Sequence, residues 1–178
     1  MVALIALQFF ISNYQPLVRG NTFSVPPGAR TVDTMGDYPE PETIARIGLQ
    51  PGQLVAFGFS IVNDGPLPIT IEEIAPPRII GLDPTDIEIS PSDWNTSPNA
   101  EPISFSPTTI GVGEQRVVGM SFIGADCAVD KSSGAISSAD TVVVRYSTLW
   151  STRTAEFPLP VRLAVNDVGG NCRSSSAP

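Results

Sequence analysis

From Gln53 onward the apolar residues of this chain recur at every second position. Val55, Phe57, Phe59 and Ile61 alternate with Ala56, Gly58, Ser60 and Val62, the period of a strand with its heavier face turned inward. Asn63-Asp64-Gly65-Pro66 then reads as a turn, with Gly65 at positive φ and Pro66 fixing the exit. Leu67 to Ile74 is expected to return as the second strand of a hairpin, burying Ile69 and Ile71 while Thr70 and Glu72 face out. The same alternation marks Gln115–Ile123, where Val118, Met120 and Phe122 share a face, and Thr141–Leu149, where Val142, Val144 and Tyr146 do.

The longest pattern is the last. Ala155, Phe157, Leu159, Val161, Leu163 and Val165 are expected inward, with Glu156, Pro158, Pro160 and Arg162 outward. The two prolines carry no amide hydrogen, so part of this strand is expected on a sheet edge or at a bulge. Shorter extended pieces are expected at Thr22–Val25, Ile44–Leu49, Ile87–Ile89 and Ile103–Phe105. No helical period competes after residue 16. Seven or eight short strands with frequent turns predict an all-β, immunoglobulin-like two-sheet sandwich over residues 17–167, followed by a flexible tail at 168–178.

Residues 1–16 differ in kind. Met1 to Ile11 reads MVALIALQFFI, apolar except for Gln8. Eleven helical residues rise about 16 Å, roughly half a bilayer's hydrocarbon core. No positive charge precedes the run, no convincing cleavage site ends it, and no lipobox cysteine follows, so it is a poor signal peptide. Three readings stand: the outer half of a transmembrane helix, an incomplete signal sequence, or a buried first strand. The shift to Ser12-Asn13-Tyr14-Gln15-Pro16 matches a chain leaving a membrane with a tyrosine at the interface. Residues 1–16 are therefore expected to form a membrane anchor, the outer part of a transmembrane helix.

Composition sharpens this picture. The 18 prolines among 178 residues are about double the usual share and oppose long helices. The formal charge of −8 repels phosphate backbones and anionic lipid surfaces, which argues against nucleic-acid binding and basic-patch docking. Two cysteines, Cys127 and Cys172, suit one disulfide in an oxidising compartment. Closing that loop would stabilise the fold by about 4 kcal/mol in the chain-entropy picture.

Histidine is absent. That removes Ser–His–Asp and Cys–His catalysis and most zinc and copper sites. Lys131 beside Ser132 and Ser133 sits in a Gly-containing loop that would not hold a Ser–Lys dyad. Met1, Met35 and Met120 do not make a copper set, since the last belongs to a core pattern. Asp83, Asp86, Glu88 and Asp93 lack the regular spacing of a calcium loop and read as a solvated acidic stretch. Trp94 and Asn95 lie in a polar loop, SDWNTS, where an indole can stack on a sugar or anchor a partner. Trp150 falls between two strands and is expected to plug the core. No catalytic residue, metal or cofactor is implied.

Two stretches carry a resemblance. Phe59-Ser-Ile-Val-Asn63-Asp-Gly65-Pro-Leu-Pro68-Ile-Thr-Ile71 resembles the strand–turn–strand of bacterial extracellular Ig-like domains. Val144-Arg145-Tyr146-Ser-Thr-Leu149-Trp150-Ser-Thr-Arg153-Thr154, with QPL at 15–17 after an apolar segment, resembles uncharacterised membrane-anchored proteins of high-GC Gram-positive bacteria. The resemblance implies a sandwich on the extracytoplasmic face of the cell membrane and transfers no catalytic residue. The function expected is therefore a non-catalytic interaction or structural module of the envelope with a protein partner. A carbohydrate-binding module using Trp94 and a filament subunit are the alternatives.

Overall fold

A computed structural model of the chain describes residues 14–26, 29–34, 42–48, 51–91, 103–125, 136–149 and 151–166. Among these residues ten strands run β1 (Leu17–Ser24), β2 (Arg30–Thr34), β3 (Glu42–Ile47), β4 (Leu54–Asn63), β5 (Ile69–Ala75), β6 (Leu82–Pro91), β7 (Thr108–Ile110), β8 (Gln115–Gly124), β9 (Ile136–Ser147) and β10 (Thr152–Asn166). They form a four-stranded sheet, β1-β4-β8-β6, and a six-stranded sheet, β2-β3-β10-β9-β5-β7. The chain is an all-β, Ig-like sandwich, and no helix occurs among the described residues.

The alternating residues build its core. Phe57, Phe59 and Ile61 from β4, Val118, Met120 and Phe122 from β8, Val142, Val144 and Tyr146 from β9, and Phe157 and Leu163 from β10 are all buried in one cluster. Phe57 stacks on Phe122 within the four-stranded sheet, centroids 5.5 Å apart. Phe59 meets Phe157 of the opposite sheet at 5.6 Å, a favourable offset for aromatic pairs. Burial of these faces is the main force holding the two layers together.

The structure departs from the sequence expectations in pairing, in one turn and in strand number. β4 and β5 are not a hairpin: they lie in different sheets, so Asn63–Pro68 is an arch that carries the chain across the sandwich. The reason is Asn63, whose amide is turned into the interior. Its Nδ2 donates to the carbonyls of Leu67 (2.8 Å), Ile110 (3.1 Å) and Gly111 (3.1 Å), and its Oδ1 accepts from the Gly65 amide (3.0 Å). Asn63 thereby ties this arch to another crossover, from β7 to β8. Gly65 is not among the positive-φ glycines, which are Gly52, Gly81 and Gly113. A side chain there would instead collide with Tyr14 and Pro16, which pack over the arch.

The acidic stretch expected to hold a short strand at Ile87–Ile89 forms all of β6, an edge strand with a register shift between Pro84 and Asp86. A proline is tolerated there because an edge strand has one side without ladder bonds. Ile103–Phe105, expected as a strand, makes an isolated bridge, Ser104 to Glu88. β2 and β7 raise the count above the seven or eight expected.

The last strand is neither a simple edge nor fully interior. β10 pairs with β9 from Thr152 to Pro158 and again from Leu163 to Asn166, with a register break between. On its other side it pairs with β3, in parallel, only from Arg162 to Val165. Among the described residues, no strand pairs with its first ten residues on that side.

Candidate protein-interaction cleft

The open flank of β10 can be read bond by bond. Thr148 donates its amide to the Ser151 carbonyl (2.9 Å) at the tip of the β9–β10 turn. Counting from that pair, antiparallel alternation has Arg153, Ala155 and Phe157 exchange bonds with β9. Thr152, Thr154, Glu156 and Pro158 then turn their backbone polar groups to the free side. Pro158 falls where its missing amide costs no ladder bond, which explains how a proline survives in this strand.

Facing this flank is β1, the edge of the other sheet. Between them lies a cleft of about 630 Å³ whose walls include Gln15, Leu17 and Arg19 on one side and Thr154, Ala155, Glu156 and Phe157 on the other. Both ends are strapped by arginines. Arg19 donates through Nη1 to the Leu159 carbonyl at 3.5 Å. At the opposite end the Tyr14 carbonyl accepts from the Tyr146 hydroxyl and from Arg153 Nη1, each at 3.2 Å. Burial pushes the Tyr146 phenol above its ordinary value, against the opposing pull of Arg153.

β1 keeps its place through an irregularity. Its register on β4 shifts between Arg19 and Phe23, and Ser60 fills the gap: its Oγ accepts from the Thr22 amide (3.0 Å) and donates to the Thr22 carbonyl (3.1 Å). Gly20 lies against that hydroxyl so closely that a Cβ would overlap it. A serine and a glycine thus set the wall that carries Arg19.

The residues singled out from sequence stand elsewhere. Trp94, Asn95, Asp93, Trp150, Lys131, Cys127 and Cys172 lie outside the described residues, as do the apolar segment 1–11 and the tail 168–178. The strand ends leading to the two cysteines share one pole of the sandwich: β3 ends beside Val165 and β4 begins beside Ile123, and only residues 48–53 connect them. Asp83, Asp86 and Glu88 are strung along β6; burial, and then Asp86, raise the Glu88 carboxyl. Among the described residues no three acidic, cysteine or histidine side chains gather as metal ligands. The sequence reading missed the cleft, and its one sign was the pair of outward prolines in β10.

No family model matches the chain, and no curated protein does. Solved structures similar to it include the Vibrio cholerae VesB protease, at 15% identity and a TM-score of 0.36, over 70% of this chain and 30% of that one. A PapD-like domain of human CEP192 matches at 9% identity and a TM-score of 0.34, over 71% and 82%. A family 123 glycoside hydrolase from Clostridium perfringens matches at 11% identity and a TM-score of 0.28, over 68% and 23%. The chain thus spans under a third of the first of these proteins, and likeness at this level bears on neither activity nor partners.

Proposed function

We propose that this chain is a non-catalytic interaction module of the cell envelope, anchored on the extracytoplasmic face by its N-terminal apolar segment. The observation that carries the binding part of this reading is the flank of β10 opposite β1, which is unpaired among the described residues. A row of free backbone donors and acceptors beside a cleft of mixed polar and apolar lining is a ready template for another chain. Partial protection is visible too, since Pro158 and Pro160 limit the length that can pair, as edge strands in soluble proteins commonly require.

The location rests on the apolar run Met1–Ile11 and on the sequence resemblance. A disulfide between Cys127 and Cys172 belongs to the same reading and is supported by the shared pole of the strands that precede them.

The test is a photo-cross-linking amino acid placed at Thr154 in the full chain, expressed in its native membrane. It should label a discrete protein, and the same probe at Ser121, on the outer face of the four-stranded sheet, should not. Equal labelling from both positions, or none from Thr154, would refute the proposal. Protease accessibility in intact cells tests the location separately.

A further inference from the structure

We infer that the cleft receives one extended peptide segment of a partner protein, about six residues long, with alternating apolar side chains and a carboxylate that meets Arg19. This rests on the module reading above and specifies the chemistry its partner must bring.

The length follows from the ladder. β3 occupies the neighbouring position only beside Arg162–Val165, and prolines at 158 and 160 offer no amide donor. The pairing window is therefore Thr152–Phe157, roughly 20 Å of strand. A segment seated there would continue the line of β3 and restore the missing part of the sheet. Its inward side chains would meet Ala155 and Phe157 and, across the cleft, Leu17, so alternate positions must be apolar.

The charge follows from Arg19. Arg116, Arg145 and Arg162 each have a carboxylate partner, Glu114, Glu73 and Asp140. Arg19 is exposed and its guanidinium holds one carbonyl at 3.5 Å, the far limit of a hydrogen bond. A guanidinium presents five donors in a fork shaped for a carboxylate. A second copy of the chain answers this less well. Residues 1–11, the apolar segment that a second copy would offer, contain no acidic side chain to meet Arg19.

The experiment is selection of a phage-displayed library of random 12-residue peptides on the full chain. Enriched sequences should alternate apolar and polar residues and share an Asp or Glu at a fixed offset. For a synthetic winner, Arg19→Gln should weaken binding about tenfold. Replacing the peptide's acid with its amide should weaken binding to the parent chain equally and make it indifferent to Arg19→Gln. Thr154→Pro, which removes only an outward amide, should abolish binding. Ala155→Arg, which fills the cleft and leaves every backbone bond intact, should do the same, guarding against misfolding of the first variant. Winners without a shared acid, winners untouched by both cleft variants, or no enrichment would each overturn the inference. The module reading would survive those results if Thr154 still cross-links to a partner, and would fall with it if that labelling also failed.

Discussion

Replacing Asn63 with alanine should be among the most damaging single changes in this domain. The side chain is wholly buried and serves three carbonyls and one amide, drawn from two of the crossovers between the sheets. Two amide protons cannot satisfy three acceptors fully, so the set is worth about three hydrogen bonds, near 1 kcal/mol each net. Truncation also strands buried carbonyls in a cavity that has lost its polar filling, which adds about 1 kcal/mol. The expected loss is about 4 kcal/mol, a large part of the stability of a typical domain. With a urea m-value of about 2 kcal/mol/M, the midpoint should fall by about 2 M. Urea unfolding followed by far-UV circular dichroism measures this directly. Asn63→Asp should be as harmful, because it puts an acceptor where donors are needed. Thr70→Val, which removes an exposed hydroxyl contact with Thr109, should stay within about 0.5 kcal/mol. A loss below about 1 kcal/mol for Asn63→Ala would mean that the amide does not hold the arch.

Gly20→Ala should destabilise the chain by about 2 kcal/mol, because its Cβ would displace the Ser60 hydroxyl; the double variant with Ser60→Ala should cost less than the two single losses added, by thermal unfolding. Tyr146→Phe should lose about 1 kcal/mol at neutral pH with the bond to the Tyr14 carbonyl. The fold raises this phenol's pKa, so its neutral form is favoured in the native state. That contribution is complete below the unfolded value near 10 and is lost as pH rises through the folded value, so Tyr146→Phe should flatten the alkaline fall in stability. Intact mass before and after alkylation, with and without reductant, should show Cys127 and Cys172 blocked only after reduction in protein from its native membrane.

Strand identity and facing were legible along the chain. Every inward position expected in β10 from Phe157 to Val165 is buried, and so are Val142, Val144 and Tyr146 in β9. Period-two patterning is a local property: each residue's face is set by its neighbours and by whether that face meets water. Partner choice is not local. The polar run Asn63–Pro66 serves a hairpin or an arch equally well, and only the carbonyls of Leu67, Ile110 and Gly111 arriving around Asn63 decided for the arch. The cleft was hidden for the same reason. Pro158 and Pro160 marked β10 as partly unpaired, but where β3 stops beside it, and that Arg19 arrives from the other sheet, are contacts between residues more than a hundred positions apart. The sequence by itself determined which residues enter the core, because burial follows a short-range period. Only the tertiary structure decided which backbone edge was left open, because that depends on where distant strands end.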